Sequence, residues 1–134
     1  HHARIWGIGV DLCRVERMQA AYTRQGARLL LRLLTPAEQD MFHARWNDLP
    51  ARGLQYLASR FAAKEALAKA LGTGIRGVMG FQAASVLPDE LGKPCVHTHG
   101  ELTKMFESQG LCAHISLSDE AGLVLAYCVV EKID

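Results

Sequence analysis

Between Leu54 and Leu71 the only charged residues are Arg60, Lys64, Glu65 and Lys69, set in a run that is mostly Ala and Leu. Spaced on a helix, Glu65 and Lys69 share one face, and Arg60 and Lys64 share a neighbouring one. One carboxylate among three cations suits a polyphosphate. The cations meet phosphate oxygens, and the carboxylate holds a divalent metal that bridges them. The same spacing also makes an ordinary helical Glu–Lys pair. A second candidate is Gly7-Ile8-Gly9-Val10-Asp11. In a strand, Gly7, Gly9 and Asp11 face one way, while Ile8, Val10 and Leu12 face the other and read as a core face. Glycine inside a strand marks close approach by a ligand or another backbone, or a bulge with Asp11 capping a turn.

Further polar groups fall into patterns. Gly72-Thr73-Gly74 follows the long helix directly; it can bring backbone N–H groups to an anion, and it can equally be a helix C-cap. Arg17, Arg24, Arg28 and Arg32 occupy a stretch without a single acid. With Arg14 they fall within about 80° of one another on one continuous helix, a basic stripe suited to an acidic protein or to phosphates, or a solvated face. Gly26 interrupts that helix. His114, Ser116 and Ser118 alternate with Ile115 and Leu117, which makes a polar strand face that can bind a ligand or simply be wet. His43, His97 and His99 show no partner pattern.

These groups need elements to hold them. Ile5–Leu12 reads as a strand, and Glu16–Leu34 as helical. Thr35-Pro36-Ala37-Glu38 is a capping-box helix start, with the helix running to about Trp46 and a loop over Asn47–Pro50. A long helix covers Ala51–Leu71. Strands are predicted at Phe81–Val86 and Lys93–His99, a short helix at Glu101–Gln109, and a hairpin from Cys112–Leu117 and Leu123–Glu131. The long helix is apolar around most of its circumference, so it is either central or part of a subunit interface. Helices in the first half and strands in the second make an α+β fold, an antiparallel sheet packed against a long central helix.

The chain has 134 residues, 15 Lys+Arg against 14 Asp+Glu, and a net charge of +1. That is the size of one domain, read as residues 3–134, with His1 and His2 as a tag remnant. Near-neutral charge argues against a general nucleic-acid or membrane binder. The longest apolar stretch, ending Leu123–Val130, is far below the ~20 residues of a membrane span. No export-signal pattern opens the sequence, and Cys13, Cys95, Cys112 and Cys128 lack metal spacing; they read as buried thiols of a cytoplasmic protein.

Taken together, the pieces resemble the 4′-phosphopantetheinyl transferases, in the small bacterial type that makes holo-acyl carrier protein. The carrying residues are Gly7–Leu12, Arg60-Phe61-Ala62-Ala63-Lys64-Glu65-Ala66 with Lys69, Gly72-Thr73-Gly74-Ile75, Gly92-Lys93-Pro94 and His114–Ser118. The resemblance implies transfer of the 4′-phosphopantetheine arm of coenzyme A to a serine of apo-acyl carrier protein, with Mg²⁺ and release of adenosine 3′,5′-bisphosphate, in support of fatty acid biosynthesis. It implies a homotrimer with coenzyme A between subunits. It places Mg²⁺ on Asp11 and Glu65, with Lys69 beside the leaving phosphate. Arg60, Lys64 and the Gly72, Thr73, Gly74 turn are implied near coenzyme A phosphates, His114 near the nucleotide end, and Arg17, Arg24 and Arg28 on the carrier protein. The residues alone leave two rivals open: a metal-dependent nucleotide hydrolase and a non-catalytic adaptor for an acidic protein.

Overall fold

The structure, a computed structural model, describes residues 3–133; the two N-terminal histidines read as a tag and the final Asp134 lie outside it. Strand β1 (Ala3–Arg14) leads into helices α1 (Val15–Gln25), α2 (Ala27–Leu33), α3 (Pro36–Asp48) and α4 (Pro50–Leu71). A 3₁₀ turn at Phe81–Ala83 precedes the hairpin of β2 (Ala84–Pro88) and β3 (Pro94–Thr98). Helix α5 (Gly100–Gln109) and the hairpin of β4 (Leu111–Glu120) and β5 (Leu123–Ile133) complete the chain. The main sheet is antiparallel in the order β1-β5-β4, and β2-β3 form a separate pair. This is the α+β architecture expected, with α4 at its centre.

Local chemistry accounts for the boundaries. Thr35 and Glu38 form the capping box at the head of α3, with Pro36 in the first turn. Gly72 ends α4 in the left-handed conformation, at φ 82°. Ala121 and Gly122 both take positive φ, as the two-residue turn between β4 and β5 requires. Several boundaries differ from the sequence expectation: β1 is longer than Ile5–Leu12, and β4 runs on to Glu120, past the expected end at Leu117. The loop over Asn47–Pro50 shrinks to Leu49, because Pro50 itself starts α4. Phe81–Ala83 is a 3₁₀ turn rather than strand. As expected, Gly26, at φ 59° and ψ −137°, interrupts the Glu16–Leu34 helical stretch and divides it into α1 and α2.

The largest correction concerns β1. Ile8, Val10 and Leu12 are 55%, 49% and 58% exposed and do not face the core. The glycine face is the inner one. A Cβ on Gly7 would lie 1.8 Å from the Ala70 carbonyl oxygen, and a Cβ on Gly9 1.9 Å from that of Ala66. The strand therefore lies backbone to backbone on α4, which has alanine at the two facing positions. Gly9 and Asp11 pair across the sheet with the buried Cys128 and Ala126 of β5. On the outer face, register aligns Ile8 with Val129 and His114, Val10 with Tyr127 and Ser116, and Leu12 with Leu125 and Ser118. That face is apolar on β1 and β5 and polar on β4, with Ile115 of β4 buried as predicted. Of the four cysteines, all free, Cys13 and Cys128 are buried; Cys95 and Cys112 are half-buried because they lie toward the sheet margins. No helix of the described residues is long and apolar enough to cross a membrane.

Candidate active site

The glycine-paved contact between β1 and α4 sets the site. With no side chains between strand and helix at Gly7 and Gly9, Asp11, two positions on from Gly9, comes down beside the last turns of α4. There Lys69 Nζ donates to Asp11 Oδ1 at 3.1 Å and to the Val10 carbonyl at 3.0 Å. Glu65, one turn before Lys69, joins the group. Partial burial raises its pKa above the usual carboxylate value, and the nearby Asp11 charge raises it further; Lys69 and Arg17 pull it back down. Arg17 itself reaches from α1 over the Phe61 ring, 5.1 Å from its centroid. Asp11 and Glu65, 54 positions apart, are near enough for the Asp11 charge to raise the Glu65 pKa, a repulsion that a cation held by both would relieve. Two hard oxygen donors fit Mg²⁺, which is held in phosphate-handling sites by one or two carboxylates, the remaining positions going to water and phosphate. The described residues contain no set of three or more His, Cys, Asp or Glu side chains arranged for a metal.

Lys64 is elsewhere. Although it adjoins Glu65, its side chain is fully buried. Its ammonium donates to Glu38 Oε1 at 2.5 Å, to the Leu33 carbonyl at 2.8 Å and to the Phe81 carbonyl at 2.7 Å. All three donors are occupied, so the placement of Lys64 at a phosphate is withdrawn. Burial drives its pKa down, and the Glu38 charge holds it up. The Gly72-Thr73-Gly74 turn is also corrected. The N–H groups of all three residues bond to carbonyls of Ala68 and Lys69, and the Thr73 hydroxyl donates to Gly74. The turn is a helix cap with no free N–H to offer an anion.

Arg60 lines a different cleft of about 240 Å³, together with Arg45, Arg52, Tyr56, Ser59 and Ser118. Its guanidinium lies 4.3 Å from the Tyr56 ring centroid, and that of Arg45 lies 4.7 Å from the same ring. Burial pushes the Tyr56 phenol up to about 12, so it stays protonated, and its hydroxyl has no hydrogen-bond partner among the described residues. Sequence reading missed Arg45, Arg52 and Tyr56. The signal was present: Arg52, Gln55, Tyr56, Ser59 and Arg60 follow the i, i+3, i+4, i+7, i+8 spacing of one helix face. His114 stands on the outer face of the sheet and meets Glu131 Oε1 at 2.6 Å. Arg24 and Arg28 are exposed but lie on either side of the Gly26 break, so the stripe is bent rather than straight.

The acids Asp11 and Glu65 with Lys69 at their edge, and a cleft lined by three arginines, are groups that could meet a metal and a polyanion. A family model described as the 4′-phosphopantetheinyl transferase superfamily matches residues 7–128, and the chain belongs to that superfamily of transferases. Relatives carry a more particular name. The holo-[acyl-carrier-protein] synthase of Methylibium petroleiphilum is 46% identical over 127 residues, 95% of this chain and 96% of that protein. The crystal structure of holo-[acyl-carrier-protein] synthase from Neisseria meningitidis aligns with a TM-score of 0.88 at 41% identity, covering 96% of this chain and all of that one. The corresponding synthase from Bacillus anthracis, solved in complex with CoA (3′,5′-ADP), aligns with a TM-score of 0.79 at 29% identity, covering 96% and 98%.

Proposed function

We propose that this protein transfers the 4′-phosphopantetheine group of coenzyme A to a serine of apo-acyl carrier protein, in the cytoplasm and in the service of fatty acid biosynthesis. The observation that carries this reading is the convergence of Asp11 and Glu65 beside Lys69. The serine oxygen forms a bond to the β-phosphorus and gives up its hydroxyl proton to water, the bridging pyrophosphate P–O bond breaks, and adenosine 3′,5′-bisphosphate leaves with the electron pair of that bond on its phosphate oxygen. Asp11 and Glu65 would hold Mg²⁺, which when bound supplies Lewis-acid neutralisation of the pyrophosphate charge. Lys69, half exposed and already fixed on Asp11 and the Val10 carbonyl, carries a positive charge to the side of the leaving phosphate. The attacking hydroxyl comes from the partner, which fits a chain with no nucleophile elbow of its own.

The remaining anionic groups of coenzyme A suit the arginine cleft, where Arg60 and Arg52 would meet phosphate oxygens. His114 would lie toward the nucleotide. Glu65 and Arg60, five residues apart on α4, point about 140° away from one another, so one chain does not present both ends of the site on one surface. The exposed apolar face of Ile8, Val10, Leu12, Leu125 and Tyr127 supports the homotrimer that would bring one subunit's cleft to another's acid pair. Arg17, at the edge of the acid pair, with Arg24 and Arg28 beyond it, would dock the acidic carrier.

The test is to incubate the protein with coenzyme A, Mg²⁺ and an apo-carrier protein and weigh the carrier by intact mass spectrometry. A phosphopantetheine adduct on the carrier is expected. Free phosphopantetheine with an unmodified carrier would replace transfer by hydrolysis. An unchanged carrier that co-elutes with the protein would reduce it to an adaptor.

A further inference from the structure

Glu38 does more than close a capping box. It is fully buried, and its two oxygens have different tasks. Oε1 accepts from the Thr35 amide at 2.9 Å, the Thr35 hydroxyl at 3.2 Å and Lys64 Nζ at 2.5 Å. Oε2 reaches across to β2 and accepts the Val86 amide at 2.7 Å. The carbonyl of the same Val86 accepts from Arg60 Nε at 3.0 Å. Strand β2 pairs on one side only, with β3. At Val86 a carboxylate and a guanidinium serve its backbone in place of another strand. The carboxylate cannot drift, because the Lys64 ammonium and the Thr35 amide clamp it from the other side. Val86, wholly buried, cannot drift either. Arg60 is thereby held at its Nε, stacked on Tyr56, and its outer nitrogens are left to the cleft, one of them touching Ser59 Oγ at 3.1 Å.

We propose that Glu38 is a positioning residue for Arg60, acting through Val86 to pre-set the guanidinium that receives a phosphate of coenzyme A; this rests on the reading of the arginine cleft given above. A free arginine side chain loses much rotamer entropy when it closes on a phosphate. One whose Nε is already bonded and whose plane is already stacked loses little, and the saving appears as affinity. The role is separate from catalysis, since Glu38 touches neither the acid pair nor Lys69.

Calorimetric binding of coenzyme A and of 3′-dephospho-coenzyme A, well below the melting temperature, separates the possibilities. Arg60→Met comes first. It should weaken coenzyme A about tenfold; a smaller loss with the dephospho form would put Arg60 at the 3′-phosphate, and an equal loss would put it at the pyrophosphate, either of which supports the cleft reading. If both affinities are unchanged, the reading of the cleft fails. Glu38→Gln should then reproduce the Arg60→Met pattern, raising KM for coenzyme A about tenfold with kcat within about twofold, and should add nothing in the Arg60→Met background. The pair Glu38→Leu with Lys64→Met removes the acceptor without stranding a buried charge and should give the same result. If folded Glu38 variants only melt earlier while their affinity and KM match the parent, or if their losses add to that of Arg60→Met, positioning is wrong and the cleft reading survives. A measurement on the unmodified protein needs no variant to fold: the Arg60 Nε–H proton, observed by NMR without ligand, should exchange slowly. Rapid exchange would show that the side chain is not pre-set.

Discussion

Lys64 and Glu65 are consecutive on α4, yet they belong to two regions with opposite character. The region around Lys64 is sealed: a fully buried ion pair with Glu38, every ammonium donor bonded, tying α2, α3 and the turn before β2 to the central helix. The region around Glu65 is open and under-compensated: a half-buried acid facing another acid, with one lysine shared between Asp11 and a backbone carbonyl. A step of about 100° around the helix separates the two. Charge that is fully matched inside the chain serves the fold, whereas charge left unmatched at the surface is available to a ligand.

The contrast can be broken most severely at the open region. Asp11→Ala or Glu65→Ala should cut Mg²⁺-dependent transfer by at least about a thousandfold while circular dichroism and melting stay near those of the parent. Transfer at the parental rate by either purified variant would remove the metal assignment. At the sealed region the effect should fall on stability instead. Lys64→Ala strands the Glu38 carboxylate and should cost about 3–5 kcal/mol in denaturant unfolding. A loss below about 1 kcal/mol would mean the pair is not sealed in solution.

Gly9→Ala probes the surface that joins strand to helix. Its Cβ meets a backbone oxygen rather than a flexible side chain, so β1 must lift from α4. A loss of about 1–3 kcal/mol is expected, together with reduced transfer because Asp11 moves with the strand. Normal stability and rate would mean the close contact is not maintained.

Milder changes sharpen the picture. Arg17→Glu with Arg28→Glu should raise KM for the carrier about tenfold and leave coenzyme A binding nearly unchanged. A drop in coenzyme A affinity instead would move these arginines from docking to the cofactor. The smallest effect concerns Glu65 alone. Because its folded pKa is raised above the ordinary value, the folded state binds its proton more tightly than the unfolded state does. Stability is therefore lost as pH rises through that raised value. In chelator-treated protein, Glu65→Gln should melt at the parent's temperature at low pH and slightly above it at neutral pH. A parent that melts higher at neutral pH would reverse the sign and place Glu65 in a compensated site.

Much of this was legible before any coordinates. The capping box at Thr35 and Glu38, the glycine stop at Gly72 and the existence of a hairpin closing near Gly122 each depend on residues a few positions apart, so their chemistry is complete within a short window. Asp11, Glu65 and Lys69 stood out as candidates, since a lone acid among cations and an acid beside paired glycines are unusual in themselves, but the pattern alone also allowed an ordinary Glu–Lys pair and a capping Asp, and their roles were implied by the family resemblance. What escaped was pairing over distance. Nothing near Lys64 announces Glu38, which lies 26 positions away across two helices. Arg45 reaches the Arg52–Arg60 face from another element.

The order of the elements, the capped helix ends at Thr35 and Gly72 and a candidate set of residues for phosphate chemistry are legible in the chain alone, because propensity, capping and charge pattern are local; the structure takes Lys64 and the Gly72–Gly74 turn out of that set and brings Arg45 and Arg52 beside Arg60. Which face of β1 turns inward, and which of two neighbouring charges is swallowed, were settled only on packing. Alternation along a strand defines two faces but not their covers. Here the bare glycine face found a helix backbone to lie on, leaving Ile8, Val10 and Leu12 outside and bringing Asp11 to Glu65.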